Sequence, residues 1–405
     1  MSDADVIVVG GGPAGVGAAI ELRRQGVSKV ILLDREAHLG GATRHCSHSP
    51  FGMLEFGRVY LGAAYGRRLE QEAARHGVDV RTSHSVVQLG DDGVVAISSP
   101  SGVESLQARR ILVTTGAREK PRSARLISGD RPIGVVTTGA LQSYIAFHGL
   151  MPFGRPLIVG SELVSLSAVL TCLTHGARPV AMIEPRSHAL VRAPLTWFPS
   201  LMGIPFHTDT AIVDIIGRER VEAVTIRRSG QLETLTCDGL LLTGQFTPES
   251  ALLLQSTIGT DVASAGARID QYGRCVDPTY FAGGNVLRAV ETGGWAFREG
   301  RAVAAAIAAD FTKTERLGEI VPVTFDGPIK LVVPNMLRRG GDRVAFRHFQ
   351  LRFLHRTRGR LSLQIDGRYV WSKQGRWMPE RRILVPIPPS ASQAAHVHFR
   401  FEEEF

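Results

Sequence analysis

Val6-Ile7-Val8-Val9-Gly10-Gly11-Gly12-Pro13-Ala14-Gly15 opens the chain, and Pro156-Leu157-Ile158-Val159-Gly160-Ser161-Glu162-Leu163-Val164-Ser165 repeats its beginning near the middle. Each reads as an apolar strand buried on both faces, a tight turn and the start of a helix. In the first, Gly10, Gly12 and Gly15 fit the spacing G-x-G-x-x-G. The first glycine makes the turn, the second lets a pyrophosphate reach the backbone, and the third lets helix and strand pack closely. In the second, Gly160 survives, but Glu162 and Ser165 replace the other two glycines.

The first segment continues as a βαβ unit. A helix is expected from Pro13 to Gln25, with Gly26 as its stop, then the strand Val30-Ile31-Leu32-Leu33 ending at Asp34. The helix N-terminus, at Pro13 and Ala14, offers N–H groups and a positive dipole end to phosphates. Asp34 stands 19 residues beyond Gly15, where a carboxylate can accept ribose hydroxyls. Glycine spacing, strand, helix and acid together point to a bound dinucleotide.

The rest of the chain repeats this order. A helix over 56–76, a strand over 78–81, a hairpin from 84–98 and 103–109, and a strand over 111–114 lead to Thr115-Gly116. Then come a strand over 157–159, a helix over 161–175, a strand over 180–183 ending at Glu184, antiparallel strands near 206–214, 221–228 and 232–237, and a strand over 240–242 before Thr243-Gly244. A last module holds strand 280–282, Gly283-Gly284-Asn285 and a helix over 293–309. Residues 311–320 read as a linker, and 321–405 as short alternating strands. The expected architecture is α/β: two Rossmann-like units, 1–118 with 246–310 and 119–245, plus a small all-β domain at 321–405.

The broken turn carries the opposite expectation. Glu162 places a carboxylate where a pyrophosphate should lie. Close like charges in a partly dry site cost on the order of several kcal/mol. NAD(P)H binding is therefore not expected at the second unit.

Composition narrows the function class. The 44 glycines among 405 residues exceed the roughly 28 that an average usage of about 7% gives. The net charge is +9, with arginines concentrated late in the chain, yet no nucleic-acid-binding signature accompanies them. A partner surface or a solvated basic face accounts for them. No apolar run is long enough to span a membrane, and no leader pattern precedes the first strand, so the cytoplasm is the expected compartment. Cys46, Cys172, Cys237 and Cys275 form no Cys-x-x-Cys pair, which argues against a disulfide framework, a structural zinc, or an iron–sulfur cluster held by this chain alone.

Residues 40–53 are the most unusual stretch: Gly40-Gly41-Ala42-Thr43-Arg44-His45-Cys46-Ser47-His48-Ser49-Pro50-Phe51-Gly52-Met53. One cysteine excludes dithiol chemistry. His45, Cys46 and His48 stand too close in sequence for common zinc sites. They remain candidate catalytic residues. With Arg44 they hold a phosphate, line an electron-transfer surface, or form a plain structural loop.

The ordered set Val6 to Gly15, Asp34, Leu39-Gly40-Gly41, Thr114-Thr115-Gly116-Ala117 and Ala282-x-Gly284-Asn285 resembles the flavoproteins with two dinucleotide domains, the glutathione-reductase and ferredoxin-reductase class. The resemblance spans about residues 5–310. It implies FAD at the first glycine motif, with Arg35, Gly41 and Ala42 nearby. It implies that Val86 or Val87 brings backbone to the adenine, that Thr115-Gly116 crosses near the flavin, and that Asn285 sits at the ribityl chain. In that class the Asn285 position usually holds Asp. The resemblance also implies that the helix starting at Gly293-Gly294-Trp295 points its positive end at the flavin pyrimidine ring. The class normally carries a redox cysteine pair in the region of residues 40–53.

The Arg44-His45-Cys46-x-His48 run and the late stretch 284–300 narrow the resemblance to α-type flavin subunits of hetero-oligomeric bacterial dehydrogenases, such as hydroxyproline dehydrogenase and opine oxidase. This implies a second flavoprotein subunit that carries the substrate site, with a second flavin (FMN) or a cluster on partner subunits, one of them small and cysteine-rich. It also implies an acceptor such as a quinone, with the complex peripheral at the inner face of the membrane. Several such α subunits carry a cysteine-rich region near the C-terminus, where this chain has a basic β region instead. The competing reading is a stand-alone NAD(P)H-dependent FAD reductase, and Glu162 argues against it. A third is a scaffold subunit with a structural FAD.

Overall fold

The structure is a computed structural model that describes residues 2–46, 50–312, 318–339 and 344–404. His48, one of the candidate residues, lies outside them, as does 313–317 within the expected linker.

The first apolar strand, Ala4–Val9, lies at the centre of a seven-stranded sheet. It pairs in parallel with Val30–Leu33 on one side and with Gly102–Val113 on the other. Asp79–Arg81 extends the sheet beyond Val30–Leu33, and Tyr280–Ala282 adds in parallel to Gly102–Val113. The central strands are apolar at nearly every position because helices cover both faces. Among these is Pro13–Arg24, packed against Gly293–Asp310. Glycines permit that contact: a Cβ at Gly300 would lie 2.0 Å from the Ala14 carbonyl oxygen, and one at Gly17 would lie 2.7 Å from that of Phe297.

The second unit repeats the plan with five parallel strands in the order Phe206–His207, Ala181–Ile183, Pro156–Val159, Gly239–Leu242, Val135–Thr137. A three-stranded antiparallel sheet, Thr210–Ile216 with Ala223–Arg228 and Gln231–Thr236, attaches to it. Ala117–Glu119 and Phe246–Pro248 pair antiparallel where the chain passes between the units. The strands between Ile320 and Glu403 among the described residues form a five-stranded and a three-stranded sheet. Phe349, Phe353, Trp377, Phe399 and Phe401 are buried in a core of their own.

Several elements differ from expectation. The helix expected over 56–76 is two pieces, Met53–Phe56 and Gly62–Arg75, because Gly57 ends the first in a left-handed conformation. The strands expected at 103–109 and 111–114 are one strand, Gly102–Val113, whose outer half pairs with Val94–Ser99 and inner half with Ala4–Val9. The strand expected near 206–214 divides at Asp209, also left-handed, into pieces belonging to different sheets. The helix Thr138–His148 and the strand Arg368–Trp377 were not foreseen. The second is a mostly exposed edge strand, so its sequence lacks an apolar alternation.

Candidate cofactor-binding site

Two helices direct their N-termini to one place. Pro13–Arg24 starts at Gly12 and Gly293–Asp310 starts at Thr292, and neither first turn is capped by a side chain. Their free N–H groups and positive dipole ends make an anion-binding cradle. Its lining is glycine. A Cβ on Gly12 would meet nothing within 4 Å, one on Gly41 would lie 3.1 Å from the Gly12 Cα, and one on Gly284 would lie 2.7 Å from the Ala14 Cβ. A Cβ on Gly293 would make ordinary contact with Phe51, Pro13 and Thr43, at 3.6, 3.7 and 3.8 Å. Glycine backbone from four parts of the chain therefore converges, with the side chains of Pro13, Ala14, Thr43 and Phe51 beside it.

The turn itself is rigid. Gly10 takes a φ of +106°, and a Cβ there would lie 2.6 Å from the Thr114 carbonyl oxygen. A Cβ on Gly15 would lie 1.9 Å from the Gly10 carbonyl oxygen. The Thr114 hydroxyl binds the carbonyl oxygens of Val9 and Gly10, each at 2.9 Å. Asp34 accepts the Gly11 N–H at 2.6 Å and the Glu36 N–H at 2.8 Å, so the strand-end acid holds the turn and retains further lone pairs. Burial raises its carboxyl above the ordinary range.

The other expected residues surround this cradle unevenly. Arg35 is exposed beside Glu36, and Ala42 is exposed on the short helix Gly41–His45. Val86 pairs with Ile97, while Val87 sits at a bulge of the edge strand Ser85–Leu89. The Thr115 hydroxyl donates to the Glu249 carbonyl at 2.6 Å, and Gly116 takes a φ of +81°. The Asn285 amide is engaged with backbone: its Oδ1 accepts the Glu291 N–H at 2.7 Å and its Nδ2 donates to the Glu291 carbonyl at 3.2 Å. A Cβ on Gly294 would touch Leu54, and the half-exposed Trp295 lies against Arg298 and Arg382.

Arg44, His45 and Cys46 occupy the seam between the two units. The Arg44 guanidinium lies 4.9 Å from the Phe147 ring centroid and 3.7 Å from Glu36. The His45 ring meets Phe147 edge-on at 6.3 Å. The Cys46 thiol donates to the Ala42 carbonyl at 3.4 Å and lies 3.7 Å from Gln142 Oε1. Burial pushes that thiol up to about 12, with help from the nearby Glu119 carboxylate. Burial, together with Arg44, holds His45 below its ordinary range. Glu119 was not singled out from the sequence. It accepts the Gly139 N–H at 2.7 Å at the start of the Thr138–His148 helix, and burial raises its carboxyl.

The second turn has the same frame and a filled cradle. Gly160 takes a φ of +121°, and the Thr243 hydroxyl donates to the Val159 carbonyl as Thr114 does to Val9. Glu162, however, is itself the cap of the Leu163–Thr174 helix. Its carboxylate accepts the Ser165 N–H, and its own N–H reaches the Ser165 hydroxyl at 3.1 Å. A Cβ on Gly244 would lie 2.1 Å from the Glu162 carboxylate, so that group covers the adjoining backbone. Arg125 donates to the carbonyls of Thr243 and Gly244 at 2.9 and 2.8 Å beside it. Glu184, counterpart of Asp34, is fully buried and bonded by Ser161 and Arg186. Ser161 also accepts the N–H groups of Leu190 and Val191. At this second turn the helix N-terminus is satisfied from within.

Known proteins share this architecture. A 206-residue stretch is 27% identical to a subunit of the opine oxidase of Rhizobium meliloti, covering 50% of this chain and 43% of that protein. Over 247 residues it is 30% identical to the HcnB subunit of hydrogen cyanide synthase of Pseudomonas aeruginosa, covering 54% and 50%. The chain spans half or less of the length of these curated relatives. Among solved structures, a thioredoxin reductase from T. acidophilum matches with a TM-score of 0.64 at 20% identity, over 76% of this chain and 99% of that one. L-proline dehydrogenase from P. horikoshii matches at 0.55 and 18%, over 77% and 56%. At these identities the two structures bear on the fold alone. Residues 4–307 match the pyridine nucleotide-disulphide oxidoreductase family, and the chain belongs to it.

Proposed function

We propose that this chain is an FAD-binding oxidoreductase subunit of a multi-subunit dehydrogenase that acts on an amino acid, imino acid or opine-like substrate. The substrate site lies on a second flavoprotein subunit, and an acceptor such as a quinone lies downstream. The observation that carries the reading is the contrast between the two helix N-termini: the cradle at Gly12 is open, and its counterpart is filled by Glu162.

The open cradle fits FAD. In this reading Gly10, Gly12, Pro13, Ala14 and Gly15 give the pyrophosphate its backbone, and Asp34 and Arg35 flank the adenosine with Val86 and Val87. Gly41, Ala42, Thr115, Gly116 and Asn285 border the remainder, and Gly294 and Trp295 bring the second helix N-terminus to the flavin. When bound, FAD supplies reversible electron transfer. The chain contributes binding, a positive electrostatic environment and exclusion of water. NAD(P)H has no comparable cradle, and the four cysteines supply no dithiol. Both routes by which such folds commonly receive electrons are thus missing, and a partner subunit is the simplest source. The similarity to the opine oxidase protein of Rhizobium meliloti, which is itself one component of a larger enzyme, supports this.

The test is purification of the native protein under mild conditions, with mass spectrometry and a flavin spectrum. A second flavoprotein chain in fixed ratio supports the proposal. A lone chain that turns over NADH overturns it.

A further inference from the structure

The sheets after residue 320 reach the segment that lines the cradle. Arg288, 1% exposed, donates to Glu299 at 2.6 and 3.0 Å and to Gln350 Oε1 at 2.8 Å. Gln350 donates to the same Glu299 at 3.2 Å, and Glu299 accepts the Gly284 N–H at 2.8 Å. Glu291 is held in the same way. Its carboxylate lies between Arg352, 2% exposed, and Arg382, the latter at 3.1 Å. Its backbone forms the two-bond pair with the Asn285 amide. The Arg382 guanidinium then lies 4.0 Å from the Trp295 ring centroid.

The start of segment 284–295 is therefore anchored to side chains of the C-terminal sheets twice, Gly284 through Glu299 and Gln350, and Asn285 through Glu291 and Arg352. Trp295 meets Arg382. Three arginines face these two carboxylates, and a further carboxylate, Glu55, lies beside Gly294 in the first turn of the Gly293–Asp310 helix. A buried charge is retained only where its partners fit, so this arrangement has one register and little play.

We propose that the C-terminal sheets are a positioning element of the FAD site. Arg352 and Arg382, acting through Glu291 and Trp295, fix the Asn285 loop and the helix N-terminus that faces the flavin. They thereby set its affinity and its reduction potential. The physical reason is that a positive helix end and a nearby guanidinium favour the anionic reduced form, but only at a fixed distance. This inference rests on the reading of the Gly12 cradle as an FAD site.

The test compares wild type with Arg382→Gln, Arg382→Lys and the double variant Arg352→Met/Glu291→Gln, which removes both charges of the most buried pair and leaves Arg382, whose side chain is 20% exposed, to solvent. FAD stoichiometry, FAD dissociation constant and midpoint potential are read for each, with circular dichroism to confirm folding. Arg382 is only partly buried, so Arg382→Gln decides if the double variant does not fold. The expected result is at least a tenfold rise in the dissociation constant and a lower potential for Arg382→Gln and the double variant, with Arg382→Lys recovering most of the potential. Folded variants with wild-type affinity and potential overturn the inference while leaving the FAD reading intact. A wild-type chain that takes up no FAD overturns the reading of the cradle and this inference with it.

Discussion

Glu162 and Ser165 satisfy each other at the start of the Leu163–Thr174 helix: the Ser165 hydroxyl accepts the Glu162 N–H at 3.1 Å, and the Glu162 carboxylate accepts the Ser165 N–H. An N-cap of this kind contributes about 1 kcal/mol to stability. Glu162→Ala is expected to lower the unfolding free energy by about that much. It should not create NADH affinity, because Ser165 still carries a Cβ and Glu184 stays closed under Ser161 and Arg186. Equilibrium unfolding in urea and NADH titration check the two halves. Unchanged stability would remove the capping role.

The two glycines of the intact turn differ in what an added methyl meets. Gly12→Ala enters open space at an ordinary φ of −72°, so the protein should fold with near wild-type stability yet lose FAD, whose pyrophosphate needs that space. Gly15→Ala drives a methyl to within 1.9 Å of the Gly10 carbonyl oxygen and should destabilise the fold by about 1–3 kcal/mol. FAD content and urea midpoints of the pair separate the roles. Full FAD content in Gly12→Ala would place the cofactor elsewhere.

All four cysteines are protected. Burial pushes the thiols of Cys46 and Cys172 up to about 12 and Cys237 up to about 11, and it raises Cys275 further. The folded protein should show no rapidly reacting thiol toward Ellman's reagent at pH 8, and four after denaturation. Relative to an ordinary thiol, Cys46 should alkylate on the order of a thousandfold more slowly, following its thiolate fraction. A fast-reacting Cys46 would return it to candidacy as a nucleophile.

His45 gives a pH dependence with a definite sign. Its folded pKa is lowered from 6.5, chiefly by burial. The stability this contributes is present above 6.5 and is lost as pH falls through the lower folded value, because the unfolded chain takes up the proton first. His45→Gln should therefore lose less stability than wild type between pH 7 and pH 5. Equal slopes for the two proteins would show that His45 is not buried as a neutral ring.

The fold was legible wherever a strand was buried on both faces. Residues 6–9, 30–33, 157–159 and 240–242 read directly, because such strands have no polar side to blur the pattern. The contrast between Gly12 and Glu162 was equally plain, since a glycine turn tolerates few residue types. What remained hidden depended on distant pairing. Strand Arg368–Trp377 is too polar to announce itself, and helix Thr138–His148 lacks a strong apolar stripe. Glu119 acquires its place only when Ala117–Glu119 turns it toward Gly139. Arg288, Glu291 and Glu299 did leave a signal, as charges inside a stretch otherwise rich in glycine and apolar residues. Their partners are Gln350 and Arg352 on the strand His348–Phe353 and Arg382 just before the strand Ile383–Pro386, and no local pattern reveals how these are arranged.

The central claim is that the Gly12 cradle holds FAD while the Glu162 turn holds no nicotinamide nucleotide. Anaerobic stopped-flow mixing of the FAD-loaded protein with NADH, and separately with NADPH, tests it most directly. The oxidised flavin absorbance should persist with either nucleotide and disappear on addition of dithionite. Rapid bleaching by either nucleotide would contradict it.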